Sequence, residues 1–490
     1  MQSKHSQQKP SGCPSYQRKL NMTQEIQTST MTAVAFPTQS SQSQTPKATE
    51  LPPTTVNAQT PPWNPTSTPI LTSSLTAEQE TAVQKLLEFI ADPEPKEPFF
   101  VLSGFAGTGK TFCMREVTRR CQSSKVNFAF TAPTNKAAKV LRAITGDACT
   151  IYSLLGLRID KDGEVKKLMT SSKPIDLSDI DVIFIDEASM VNSRLMELLV
   201  DASNLHLVKI VFMGDAAQLP PIGEVASNVW KLHQGAELHQ VMRHDNQILQ
   251  LVTNIREALQ HFLPSIIIRS DHTENEGVWK ISNAVFKQTL YNLAQDGEFA
   301  DGTHAKVIAW RNARVAEYNN LIRNAIFGNA AVPGYYLQGE RIIAASPCKV
   351  GEDIVLATDE EGIVEGTVES KHPVQPKYKI LSLKIRTEMN RVIRLTVLHP
   401  ESKQAYDNDC QSLAHEASSN PKMWKKFWNL KELFHEIRYA YAITAHRAQG
   451  STYHTVFVDS VDILMNRNRK EAFQCLYVAC SRPTTKLILC

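Results

Sequence analysis

The chain has 490 residues, 42% of them hydrophobic, and its 53 Lys and Arg against 50 Asp and Glu give a formal net charge of +3. That length exceeds one ordinary domain and supplies a core for each of several, while the near-balance of charge neither demands nor excludes a nucleic-acid partner. Nine cysteines with no C-x-x-C pair argue against a zinc site, and the odd count fits a reduced interior better than a disulfide framework.

No apolar run reaches the roughly 18 residues of a membrane span, and the N-terminus lacks a signal-peptide core, so the expectation is a cytoplasmic protein without membrane contact. Residues 1–74 are rich in Ser, Thr, Gln and Pro and are expected to be a disordered tail. Thr76 can then cap a helix whose apolar positions, Ala82, Val83, Leu86, Leu87 and Ile90, recur at helical spacing. Gln79 lies in its first turn, where the amide could read an adenine edge or remain an ordinary surface glutamine.

The stretch VLSGFAGTGKT, Val101 to Thr111, follows an apolar run and opens a helix. Strand, glycine-rich loop and helix in that order are the setting in which G-x-x-x-x-G-K-[ST] cradles phosphates. Gly104, Gly107 and Gly109 allow backbone N–H groups to turn inward around an anion, with Thr108 among them. Lys110 would reach the β- and γ-phosphates of ATP, and Thr111 would ligate Mg²⁺.

Asn127 to Pro133 reads as a short strand, followed by a helix starting at Thr134-Asn135-Lys136. A polar, basic helix start suits a nucleic-acid phosphate, although a capped surface helix is the plainer reading. Leu157 to Val165 alternates around Asp162-Gly163, a hairpin signal. Val182 to Ile185 is a continuous apolar run, as in a strand buried on both faces, and ends in Asp186-Glu187. Asp186 would hold Mg²⁺ and Glu187 would deprotonate the attacking water. Val208 to Met213 is another strand, closed by GDAAQLPPIGE, where Gln218 could sense a γ-phosphate. Strands alternating with helices predict a doubly wound parallel sheet.

Arg243 follows, and a second alternation begins near Lys306. Short glycine-punctuated runs from Gly339 onward read as a small β insertion. Pro421 to Arg438 interleaves Trp424, Phe427, Trp428 and Phe434 with lysines. The pattern suits single-strand binding, but the helical spacing favours an amphipathic packing helix. Tyr439 to Thr444 reads as one strand, and Leu487 to Leu489 as another.

Together GFAGTGKT, TAPTNKAAKVL, TIYSLLGL, VIFIDEASM, GDAAQLPPIGE, YAITAHRAQGST and LYVACSRP resemble, in order, the motifs of superfamily-one DNA helicases of the RecD/Dda-type branch. The resemblance implies an α/β fold with two RecA-like P-loop motor domains, a small β-hairpin insertion at about 156–176 and an SH3-like insertion with a helix at 339–432. The motors would span 75–236 and 237–338 with 433–490. It further implies ATP and Mg²⁺ between the motors and 5′-to-3′ translocation on single-stranded DNA. By the same resemblance Gln79 matches the adenine reader, Gln218 the phosphate sensor, and Arg243 and Arg482 the arginines presented to the transferring phosphate. Pro133, Thr134, Asn135, Tyr152, Thr444, His446 and Gln449 fall at DNA-contacting positions, Tyr152 where related sequences often carry histidine. Expected partners are single-stranded DNA, fork and duplex junctions, and a single-stranded-DNA-binding protein, in repair, recombination or replication. An RNA track, or an NTP-driven switch that binds DNA without unwinding it, are the alternatives.

Overall fold

The computed structural model describes residues 75–159, 165–167, 177–241, 247–261, 263, 265–351 and 353–490. The expected tail at 1–74, the turn at Asp162-Gly163 and Arg243 lie outside the described residues.

The described chain opens with α1 (Ala77–Ala91), started by a reciprocal cap in which the Thr76 hydroxyl accepts from the Gln79 backbone and the Gln79 side chain answers. Strands β1 (Phe99–Gly104), β2 (Phe128–Ala132) and β3 (Cys149–Thr150) alternate with α2 (Lys110–Arg120), α3 (Asn135–Thr145) and α4 (Ile151–Leu154). Then β4 (Leu157–Ile159) and β5 (Val165–Lys167) pair antiparallel, and β6 (Val182–Ile185), α5 (Ser193–His206), β7 (Lys209–Gly214) and β8 (Gly235–Leu238) complete the unit. Six of these strands form one sheet in the order β3-β2-β6-β7-β1-β8, and each of its pairs is parallel.

Successive residues of a strand point to opposite faces, so both faces must be covered. Phe100, Leu102, Phe184 and Val211 pack against Val83 and Leu86 of α1 and Met114 and Val117 of α2. Val101, Ile183, Ile185 and Phe212 pack the other way, against Leu195 and Leu199 of α5. The C-terminal ends of β1, β6 and β7 therefore open along one sheet edge, where ligands bind in doubly wound folds.

After α6 (Gln247–Gln260) come β9 (Asp271–His272), β10 (Gly277–Lys280), α7 (Asn283–Gln295), β11 (Ala305–Ala309) and α8 (Asn312–Phe327). The chain then leaves to build β12 (Arg341–Ala344), the hairpin β13 (Cys348–Val350) and β14 (Asp353–Leu356), β15 (Glu361–Lys371), β16 (Lys379–Thr387) and β17 (Val392–Leu398). Helices α9 (Lys403–Ser419) and α10 (Met423–Lys431) precede β18 (Ile437–Tyr439). The chain returns through β19 (Ala442–Thr444), β20 (Tyr453–Val458), α11 (Ser460–Leu464), α12 (Arg469–Cys480) and β21 (Pro483–Leu489). The second six-stranded sheet runs β19-β11-β20-β21-β10-β9 and is parallel except at its β9–β10 edge. The third has five antiparallel strands, β17-β16-β15-β12-β18.

The doubly wound parallel sheets expected from the alternation are thus present. Tyr439 to Thr444 is not one strand: β18 closes the antiparallel sheet and β19 the second parallel sheet, with the break at Ala440-Tyr441. Buried charges join the two sheets there. The Lys306 ammonium of β11 meets the Glu361 carboxylate at 2.9 Å and the Ala440 carbonyl at 2.7 Å, and Arg341 of β12 reaches the same carboxylate at 3.3 Å. Arg323 of α8 pairs with Glu340, both fully buried, and lies 3.7 Å over the Tyr439 ring. Among the described residues no helix is long and apolar enough to cross a membrane.

Candidate active site

The loop between β1 and α2 carries Gly107 at φ 86° and Gly109 at φ 87°, the left-handed region open to glycine. A Cβ on Gly109 would lie 2.5 Å from Gln79 Nε2, and one on Gly104 would lie 2.7 Å from Thr108 Oγ1. The loop is braced from within. Gln79 Nε2 donates to the Thr108 carbonyl at 3.0 Å, and Gln79 Oε1 accepts from Thr76 N at 3.1 Å. The Thr108 hydroxyl donates to the Phe105 carbonyl at 2.9 Å. The Lys110 ammonium curls over the loop onto the carbonyls of Gly104 at 2.6 Å and Phe105 at 3.0 Å. No side chain caps α2 at Gly109, so its first-turn N–H donors and positive dipole end are directed into the loop. Thr111 sits half-buried in that turn.

Asp186 and Glu187 follow β6, with Glu187 at φ 52° and ψ 45°, left-handed although not glycine. Such a backbone costs about 1–3 kcal/mol and persists where surrounding structure enforces it. Asp186 Oδ1 accepts from Glu187 N at 2.8 Å. Burial pushes both carboxyls up. Glu187 rises to about 7, with the Asp186 charge adding to the effect and the Arg482 and Lys110 charges opposing it. Two desolvated carboxylates beside a glycine-lined, N–H-rich loop form a donor set that fits a polyphosphate with a divalent cation.

The opposite wall comes from the second parallel sheet. Tyr477 of α12 donates to Asp215 Oδ2 at 2.6 Å, and its hydroxyl accepts from Ala106 N of the phosphate loop at 3.5 Å. Asp215 Oδ1 accepts from Ala217 N at 2.9 Å. Gln474 Nε2 donates to the Gln218 carbonyl at 2.9 Å, and Gln449 Nε2 to the Leu219 carbonyl at 3.3 Å. Arg482, 5% exposed, spends its guanidinium on the carbonyls of Val478 at 3.0 Å and Ser451 at 3.3 Å and on the Ser481 hydroxyl at 2.9 Å. Its charge nonetheless reaches Glu187.

Sequence reasoning missed Tyr477, Gln474 and Asp215. The available signal was polar atoms at Gln474 and Tyr477 in the otherwise apolar run from Ala472 to Cys480, inside and beside LYVACSRP. Both are buried, and a buried polar group must find a partner.

The expected strand-contacting residues divide in two. Pro133 and Thr134 are half-buried and Asn135 exposed at the end of β2; Thr134 caps α3 by accepting from Ala137 N at 3.2 Å. Tyr152, half-buried, packs against the core between the first sheet and α5. Beyond β19, Thr444 is buried and accepts from Arg447 N at 3.4 Å, while Gln449 is buried against the Gln218 loop. His446 is half-exposed, with Nε2 3.9 Å from Glu471. The two groups approach at Lys136 of α3, whose ammonium donates to the Tyr453 hydroxyl at 3.1 Å and lies 4.0 Å from Glu361. One helical turn on, Lys139 pairs with Glu388 beyond β16.

The AAA domain family matches residues 74–262 and the UvrD-like helicase C-terminal domain matches residues 439–490. Uncharacterized protein R530 of Acanthamoeba polyphaga mimivirus is 24% identical over 490 residues, covering 84% of this chain and 98% of that protein. The ATP-dependent DNA helicase dda of Enterobacteria phage T4 is 22% identical over 424 residues, covering 78% of this chain and 92% of its own. A solved structure of Pif1 helicases at forked double-stranded DNA matches 85% of this chain and 92% of its own at 18% identity and a TM-score of 0.49. An AAA segment in front and a helicase C-terminal segment behind, which between them hold all the ordered motifs, support a superfamily-one helicase of the RecD, Pif1 and Dda branch.

Proposed function

We propose that this chain hydrolyses ATP with Mg²⁺ to translocate 5′ to 3′ along single-stranded DNA and unwind duplex at forks. The single observation that carries this reading is the composite pocket. Glu187 of the first sheet is within electrostatic reach of Arg482 of the second, and Tyr477 links the second sheet's α12 to the phosphate loop. A site shared between two lobes converts hydrolysis into relative motion of those lobes.

When bound, Mg²⁺ would supply positive charge that neutralises the phosphate oxygens. The chain's own residues do the rest. Loop N–H groups and Lys110 hold the polyphosphate, Thr111 and Asp186 hold the cation, and Glu187 takes the proton from the attacking water. Gln218 reads the terminal phosphate. Arg482, joined by Arg243, stabilises charge on the equatorial oxygens, which requires Arg482 to exchange a carbonyl partner for phosphate. Gln79 reads adenine through the amide that now braces Thr108. Pro133, Thr134, Asn135 and Tyr152 on one lobe and Thr444, His446 and Gln449 on the other grip the strand alternately, a single-stranded-DNA-binding protein being the partner on exposed DNA. The motors are assigned to 75–236 and to 237–338 with 433–490 and the SH3-like insertion to 339–432, except that β18 (Ile437–Tyr439) pairs with β12 and goes with the insertion's sheet.

Glu187→Gln is the test. ATP binding should persist while DNA-stimulated turnover falls about 10²- to 10⁴-fold. Retained turnover overturns the assignment, and stimulation by RNA but not by matched DNA oligomers moves the track to RNA.

A further inference from the structure

The Trp- and Lys-rich stretch noted in the sequence is absorbed by none of the roles above. Helix α10 is shorter than the 421–438 pattern implied, ending at Lys431. Its inner side does pack: Met423 and Leu430 are buried, and Phe427 joins a cluster with Tyr378, Tyr406 and Phe434. Its outer side does not. Trp428 is 37% exposed, Trp424 is half-buried one turn earlier, and Lys422, Lys425, Lys426 and Asn429 are exposed around them.

Two features separate this face from an ordinary solvated one. The Phe427 ring stands between the indoles, 5.3 Å from Trp424 at 86° and 5.1 Å from Trp428 at 80°, so edge-to-face contacts fix both planes. Nearby lysines are neutralised, Lys377 by Asp409, Lys379 by Glu401 and Lys403 by Asp407. Lys422, Lys425 and Lys426 pair with no carboxylate among the described residues. Pre-set aromatic planes beside uncompensated ammonium groups match what a single strand offers, a base face to stack and a phosphate to neutralise. An acidic peptide would use the lysines but has no need of oriented indoles.

We propose that the outer face of α10 is a second binding surface for single-stranded DNA, outside the motor groove. This rests on the DNA-motor reading for its track. The distance follows from β16. Ile380 near its start packs in the cluster beneath α10, and Glu388 just past its end meets Lys139 of α3. A strand of 9 residues separates the two, about 30 Å of chain. A strand must therefore be longer than the segment held in the groove to touch both.

The test uses the full chain and fluorescence anisotropy with oligothymidylates of about 6 and about 30 nucleotides. Trp428→Ala should weaken binding of the long oligomer about tenfold and leave the short one, and ATPase stimulated by it, unchanged. Trp428→Phe should restore the loss. Lys425→Glu with Lys426→Glu should lower the slope of log affinity against log salt by about 1.4 for the long oligomer. Equal affinity of all variants for the long oligomer overturns the proposal, as does an equal loss for both lengths. Unchanged DNA binding with lost binding of a poly-glutamate peptide makes the face a peptide site and also overturns it. Tight, Trp428-dependent binding of the long oligomer without any ATPase stimulation would sink the motor reading while sparing this surface.

Discussion

At Gly109 the chain needs both a left-handed angle and the absence of a side chain, since φ is 87° and Gln79 Nε2 occupies the space where a Cβ would stand. Gly109→Ala should therefore strain the backbone by about 1–2 kcal/mol and push Gln79 off the Thr108 carbonyl, weakening nucleotide binding as read by calorimetry. Gly146→Ala is the control: φ is 83° but nothing lies within 4 Å, so stability should fall by a similar amount with nucleotide affinity intact. Tyr477 invites a subtler change. Tyr477→Phe keeps the ring in its fully buried slot and removes one oxygen, leaving Asp215 Oδ2 without its 2.6 Å donor. An unsatisfied buried acceptor costs about 1–3 kcal/mol. Because that oxygen also meets the phosphate loop, DNA-stimulated kcat should fall about tenfold, measured against a basal rate that changes less.

Between elements, the join of the second parallel sheet to the antiparallel sheet rests on charges that no linear pattern announces. Arg323→Met should leave Glu340 buried without its cation and lower unfolding free energy by about 3–5 kcal/mol in urea titration, and Glu340→Leu added to it should recover much of the loss. The sequence pattern marks none of Lys306, Arg323, Glu340 and Glu361 as buried, yet all four are. Their partners lie far off along the chain, as for Lys306 and the Ala440 carbonyl, 134 residues apart. What was legible was local. The runs at β1, β6 and β7 announced strands because helices cover both faces, and the glycine loop announced itself through its spacing. The change of sheet at Ala440-Tyr441 was hidden, since an apolar run looks the same whichever sheet it joins. Tyr477 was hidden for the matching reason: its partner belongs to another lobe, 262 positions earlier.

At the scale of the molecule, pH acts through histidines held neutral. Burial lowers the pKa of His372 and, together with neighbouring His304 and Lys486, that of His454, from the ordinary 6.5. Below that value the unfolded chain takes up protons that these folded histidines refuse, so their contribution to stability is full above about 6.5 and declines as pH falls. Glu187, raised to about 7, acts in the opposite sense, so the check is a difference: relative to the parent chain, the melting temperature of His454→Gln should rise as pH falls from about 7 to about 5.5.

The placement of β21 bears on how the protein is made. It leaves the ribosome after every other described strand, yet it lies between β20 and β10. The first sheet has all its strands once Leu238 has emerged, whereas a nascent chain lacking Pro483–Leu489 presents two facing edges with no strand between them. Unpaired edges recruit other chains. Premature termination between Leu238 and Pro483 should thus yield a first lobe able to close and a second that draws on chaperones until it is degraded.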